Sequence, residues 1–277
     1  MCNLYSITRN QDAIRRLFGV SRDSAGNLPP LPGIFPDNPA PVVRSAGSDR
    51  ELTMMRWGMP GPPQFGSAPI TNIRNTASAH WRRWLKPESR CLVPASSFSE
   101  YAPEPDPVTK RKDVVWFALG DDRPLFAFAG IWTVFAGDRG PKAKPVPGPH
   151  DVYGFLTTEP NEVVAPIHPK AMPVILGPPR NSTPGCAPWD EAKALRRPLP
   201  ADSLRDRGKR REEGRPRLTS SKVFSEAYAH TCSRTPPTVS TLSWARGCFD
   251  ISWRCRSPIL RRGVRATPWR GYASKQI

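Results

Sequence analysis

LFAFAGIW, residues 125–132, is an apolar run rich in aromatics and much shorter than a buried helix, so it reads as a β-strand. Working outward, similar runs occur at Glu51–Trp57 (ELTMMRW), Arg90–Pro94, Val114–Leu119 and Tyr153–Thr158, with Pro173–Leu176 as a last apolar stretch. Helical periodicity is rarer. Thr8 and Gln11 have the spacing of a capping box, Ile14, Leu17 and Phe18 share one face, and Gly19 stops the segment. Shorter helices are expected near Ala77–Leu85 and Pro160–Ala165. The stretch at 26–41 (GNLPPLPGIFPDNPAP) carries too many prolines for a helix or a central strand and reads as a long surface-hugging loop. Strands outnumber helices and their connections are long or irregular, which predicts a single β-rich α+β domain with a few flanking helices.

With 277 residues the chain can bury a substantial core. It contains no apolar run of the roughly 18 residues that a membrane span needs, and no basic-then-apolar leader, so an intracellular protein with no membrane partner is expected. Six cysteines, at positions 2, 91, 186, 232, 248 and 255, make no CxxC pair and no metal-ligand spacing with the four histidines. Neither a zinc site nor a disulfide framework is indicated by that spacing, and reduced thiols are expected. The net charge of +17 points to a polyanionic partner. Its distribution is uneven: residues 203–277 hold 17 Lys/Arg against 5 Asp/Glu, leaving the first 202 residues only mildly basic. From about Arg205 the hydrophobic period disappears, so a domain over 2–204 is expected to be followed by a disordered basic tail over 205–277.

The chain opens MCNLYS. Once Met1 is removed, Cys2 carries an α-amine and a thiol on adjacent carbons. The position alone does not separate chemistry from coincidence, and other stretches must decide: RWG at 56–58, TNIRNT at 71–76, RCLVPASSFSEY at 90–101, FAFAGIW at 126–132 and GFLTTEPNEVVAPIHPKAMPVIL at 154–176. In this order and spacing the set strongly resembles the SOS response-associated peptidase (SRAP) family of abasic-site processing proteins, from Cys2 to about Leu204. The resemblance implies an enzyme that removes its own initiator methionine and caps abasic sites in single-stranded DNA through a covalent link. It implies Cys2 as the nucleophile, with Asn72, Glu100 and His168 as the other catalytic positions. His168 is expected to transfer a proton at the sugar ring oxygen, Glu100 to orient the amine and shuttle its proton, and Asn72 to hold the amine or a phosphate. Arg74 and Trp57, which lie in family motifs, together with Arg56 and Lys170, are expected to bind DNA. Trp81 and Trp84 are expected in the core, with Arg82 and Arg83 as the wet face of their helix. No cofactor or metal is implied. The partner is abasic single-stranded DNA, and the setting is a monomer at the bacterial nucleoid in the cytoplasm.

The chemistry follows from the residues. An opened abasic sugar is an aldehyde, and an α-amine with a pKa near 7.7–8.0 keeps a useful neutral fraction to attack it. The resulting imine hydrolyses readily. A thiol on the adjacent carbon closes it into a five-membered thiazolidine, a step favoured by high effective molarity. Departures from the family pattern are Asn3 and Leu4 where Gly-Arg is common, GPPRNSTPGC at 177–186, and everything after Leu204. Two other readings compete. An N-terminal-nucleophile glutamine amidotransferase also begins Met-Cys, but its further Asn-Gly and Gly-Asp motifs are not found. A non-enzymatic single-strand-binding protein would have no use for the Glu100 and His168 pair.

Overall fold

The computed structural model describes residues 2–62, 68–141, 143–177 and 192–209. In chain order these form β1 (Leu4–Ile7), α1 (Gln11–Phe18), β2 (Arg22–Asp23), β3 (Leu31–Ile34), β4 (Pro39–Ala46), β5 (Asp49–Trp57), β6 (Asn72–Ile73) and α2 (Ala79–Arg82). There follow β7 (Arg90–Ala95), β8 (Ser97–Pro105), β9 (Lys112–Ala118), β10 (Phe126–Phe135), β11 (His150–Thr158), β12 (Met172–Pro173), β13 (Ile175–Leu176) and β14 (Arg205–Lys209). The β-rich α+β expectation holds. No helix among the described residues is long and apolar enough to cross a membrane.

The strand that carries LFAFAGIW, β10, lies between β7 and β11, antiparallel to both. β7 pairs with β4 and β4 with β5. β5 then meets β11 in parallel, Val152 opposite Arg56 and Tyr153 opposite Trp57. These pairings return to their starting strand, so five strands close into a ring with no free edge. A second sheet, in the order β14-β9-β8-β1-β3, brings the N-terminal strand beside the one that carries Glu100.

Side-chain alternation along β11 sorts the core. Tyr153 and Phe155 join the main cluster with Tyr5, Trp57, Phe98, Phe117 and Phe128, drawn from both sheets. Val152 and Leu156, on the opposite face, pack with Ile73, Trp81, Trp84 and Ile131. Trp81 and Trp84 are therefore core residues, as expected, while Arg82 and Arg83 are exposed. At the hub, Tyr5 meets Trp57, Phe128 and Phe155 edge-on at 5.1, 5.7 and 5.4 Å, the geometry that aromatic quadrupoles favour. Its hydroxyl shares a 2.6 Å hydrogen bond with that of Tyr153.

Several local expectations need correction. Helix α1 is capped by Asn10, whose side chain accepts from the Ala13 N–H, and not by Thr8. Gln11 instead ties down the following loop, donating to Asp23 and the Gly26 carbonyl and accepting from the Leu28 N–H. Gly19 does end the helix, at φ 59°. The proline-rich stretch is not one loop, because it supplies β3 and the start of β4. Pro32 is tolerated because β3 is an edge strand, and Pro39 and Pro41 because β4 pairs with β7 only at Val43 and Arg44. The helix near 77–85 is only Ala79–Arg82, and Pro160–Ala165 forms turns in which the Asn161 side chain accepts from the Val164 N–H. The tail does not begin at Arg205, since residues 205–209 pair with β9 and Leu204 is buried. Residues 210–277 and 178–191 lie outside the described residues, as do Cys186, Cys232, Cys248 and Cys255. Cys2 and Cys91 are free thiols, both buried.

Gly58 of the RWG stretch has φ 148°, and an added Cβ would sit 2.2 Å from the Pro69 Cβ. Its N–H donates to the Tyr153 carbonyl at 2.7 Å, next to the ring closure. Gly58→Ala is expected to destabilise the fold by roughly 3 kcal/mol through combined strain and overpacking, read as a lower urea midpoint at unchanged slope.

Candidate active site

β1 places Cys2. Antiparallel pairing of Leu4 with Ser99, Tyr5 with Phe98 and Ser6 with Ser97 fixes β1 against β8, and alternation along β8 turns Glu100 inward and Tyr101 outward. Cys2 is 1% exposed and Glu100 4%. The Cys2 thiol donates to the Leu4 carbonyl at 3.4 Å. Burial pushes that thiol well above its usual range and the Glu100 carboxylate adds to the effect, so sulfur is held protonated. Burial likewise pushes Glu100 up, against the opposing pull of His168.

Asn72 reaches the same point from the ring of strands. Strand β6 pairs in parallel with β11, Phe155 opposite Asn72 and Leu156 opposite Ile73. The Asn72 Nδ2 donates to the Cys2 carbonyl at 2.9 Å and to the Thr71 Oγ1 at 2.8 Å. These two contacts set the amide's orientation, and its Oδ1 is left buried with no hydrogen-bond partner among the described residues. A buried acceptor of this kind carries a desolvation cost and is suited to receive an N–H from an amine at residue 2.

His168 follows β11 in the turn region. Its Nδ1 lies 2.9 Å from the Ala171 carbonyl and 3.3 Å from the Ala171 N–H, so the backbone of one residue orients the ring. His168, Glu100, Asn3, Tyr101, Lys112 and Lys170 line one open pocket of about 290 Å³. A smaller one of about 140 Å³ adjoins it across Glu100, bordered by Asn3, Phe35, Pro36 and Tyr101. The arrangement thus offers a thiol, a carboxyl with elevated proton affinity, an imidazole and a buried amide acceptor, the parts needed for nucleophilic addition with proton transfer.

The four residues expected to be catalytic come together, whereas the DNA contacts divide. Lys170 is exposed on the pocket. Arg74 is half exposed and pairs with the more exposed Glu159 at 3.1 Å, a surface pair of small worth that a phosphate can displace. Trp57 needs correcting: it is fully buried, stacked on Phe155 at 4.8 Å, and leaves no face for a base. Its indole N–H donates to the Thr71 carbonyl at 3.3 Å, so it supports the residue before Asn72. Arg56 is half-buried and donates to the Asp37 carbonyl at 2.8 Å, bracing the β3–β4 connection. Two rim residues were missed, Tyr101, 55% exposed, and Lys112. Alternation from the buried Glu100 was the available signal for Tyr101.

A family model described as SOS response associated peptidase (SRAP) matches residues 1–204. Among solved structures, a Bordetella bronchiseptica protein is 25% identical with a TM-score of 0.56, over 74% of this chain and 98% of its own. A Bacteroides thetaiotaomicron protein is 18% identical with a TM-score of 0.57, over 74% of this chain and 90% of its own. A phage-related protein of Bordetella bronchiseptica is 22% identical with a TM-score of 0.54, over 74% and 92%. The last two speak for the fold alone. No curated protein matches the chain.

The raised proton affinity of Glu100 has a consequence for stability. Between the ordinary value of 4.5 and its higher folded value, the folded state binds more protons than the unfolded one. Stability is therefore lost as pH rises through that window and stays reduced above it. Glu100→Gln is expected to melt at a higher temperature than the parent at pH 7, with the difference closing towards pH 4. A scan of melting temperature against pH checks this, and an equal gap at both ends would refute the assignment.

Proposed function

Because this chain belongs to the SOS response-associated peptidase family, we propose that it captures abasic sites in single-stranded DNA as a covalent thiazolidine on Cys2. The observation that supports this best is the convergence of four separate segments: the Asn72 amide bonds the Cys2 carbonyl, Glu100 acts electrostatically with both Cys2 and His168, and Glu100 and His168 line one pocket.

Removal of Met1 comes first, a self-processing step in keeping with the family's peptidase description, and it frees the α-amine of Cys2. The neutral amine adds to C1′ of the ring-opened sugar, and the carbinolamine loses one water to give the imine. Sulfur then bonds to the imine carbon while the thiol proton passes to nitrogen, closing the ring. Overall one water leaves and nothing is oxidised. His168 exchanges the proton that opens the sugar at its ring oxygen. Glu100 takes the ammonium proton and returns it to the departing hydroxyl, a task served by a carboxyl whose pKa is raised towards neutrality. The Asn72 Oδ1 accepts from the amine and aims its lone pair. A thiol kept neutral until the imine forms avoids carrying a buried anion.

Arg74, Lys170 and Lys112 are the cations offered to phosphates, and Tyr101 the exposed ring for an unpaired base. Arg56 and Trp57 support the site from beneath. The protein acts as a monomer on damaged DNA at the nucleoid. The described strands reach Lys209, and the basic chain beyond it contributes charge, not chemistry.

The purified protein is expected to form a heat-stable adduct with abasic single-stranded DNA and none with intact DNA of the same sequence. Cys2→Ala should lose the stable adduct while keeping an imine that borohydride can trap. Glu100→Gln and His168→Ala should slow capture by about 10²–10⁴-fold with binding to undamaged strands nearly intact. A full yield of heat-stable adduct from Cys2→Ala would sink the thiazolidine reading. A chain ending at Lys209 should capture at the same saturated rate but bind DNA with a shallower salt dependence; an unchanged slope would remove the tail from the interaction.

A further inference from the structure

Arg196 lies in none of the motifs that mark the site, and it comes from the segment 192–209. Its backbone carbonyl accepts from Thr158 Oγ1 at 3.4 Å. Its guanidinium donates three ways: Nε to the Thr157 carbonyl at 2.7 Å, one terminal nitrogen to Thr76 Oγ1 at 3.2 Å, and the other to the Arg74 carbonyl.

These acceptors stand where the strand that carries Asn72 runs out. Strand β6 has two residues. It is held to β11 by its short ladder, by the Phe155 N–H on the Thr71 carbonyl at 2.9 Å and by Thr157 Oγ1 on the Ile73 carbonyl at 3.3 Å. Beyond Ile73 the strand pairing ends, and the Arg196 fork joins the next β11 carbonyl to the next residues of the loop. A rigid planar group with five donors suits this, and a lysine ammonium does not. Electrostatics work against the placement, since burial and then the like charge of Arg74 both lower the Arg196 pKa, with Glu159 opposing. Hydrogen-bond geometry, not charge, accounts for an arginine here.

We propose that Arg196 is a positioning residue for this site, fixing the backbone after Ile73 so that Asn72 stays on Cys2 and Arg74 faces the DNA. The role rests on the abasic-site reading for its consequence, but its structural part stands separately.

The full-length chain with Arg196→Ala and with Arg196→Lys provides the test, through capture of abasic single-stranded DNA and amide hydrogen exchange. Both variants should capture at a maximal rate lowered by about tenfold or more, the scale of a misplaced reacting group, and lysine should rescue little. Combining Arg196→Ala with Asn72→Ala should slow capture no further than Asn72→Ala alone, because one acts through the other. Amides of residues 73–76 should exchange faster while those of β10 keep their protection. Additive rate losses, or unchanged exchange at 73–76, would overturn the proposal. If the parent protein forms no adduct, the functional reading fails and the exchange data alone decide the role of Arg196. If the alanine variant does not fold, the lysine variant carries the same readings.

Discussion

The placement of Tyr5 is the constraint on which the rest depends. One residue of a four-residue strand packs edge-on against three rings from β5, β10 and β11 and hydrogen-bonds a fourth aromatic, Tyr153. Chain termini ordinarily fray. Here the residue three places after Cys2 is locked into the core, so Cys2 is held by a buried anchor. The wholly buried hydroxyls share one hydrogen bond, so neither oxygen is left without a partner. Losing either one would orphan its partner in the most apolar part of the molecule.

A site anchored this way can keep its polar groups out of water. Cys2, Asn72 and Glu100 are each at least nine-tenths covered, and that burial raises the proton affinity of both the thiol and the carboxyl. The arrangement costs stability, since a carboxyl with raised proton affinity and an unpartnered amide oxygen both oppose folding. Natural sites commonly retain such local costs where chemistry requires them. The closed ring of strands beneath supplies a rigid base on which they are tolerated.

How legible this was in the sequence differs by kind of feature. The strands at Glu51–Trp57, Arg90–Pro94 and Leu125–Trp132 were readable, the last as a continuous apolar run and the other two as short runs in which apolar residues predominate. Strand β8 was not, since SSFSEYAPEP mixes polar and apolar residues around Glu100, and its buried serines are satisfied by Leu4, Ser6 and Thr8 in and beside β1. Prolines misled at 31–41 because edge position, which sequence does not display, decides whether a strand tolerates them. Cys2, Asn72, Glu100 and His168 were legible as motifs that a resemblance could join. Trp57 was not, because an aromatic in a functional motif looks the same whether it faces a base or supports the loop behind it. Arg196 carried no signal at all. Its importance comes from three acceptors that only the tertiary fold brings together.

The order in which the chain is made adds a further consequence. Cys2 leaves the ribosome first, yet its partners follow late: Asn72 bonds it from 70 residues away, and Arg196 reaches the Arg74 carbonyl across 122 more. At synthesis rates of roughly 5–20 residues per second, the terminal thiol waits on the order of ten seconds or more before its surroundings exist. Contacts this distant in sequence also form slowly. During that interval the nascent end is an unprotected terminus carrying an ordinary cysteine, with neither the buried carboxyl nor the imidazole beside it. The surroundings of Cys2 therefore arrive only with completion of the fold, and a ribosome that stalls early releases a fragment in which this cysteine has none of them.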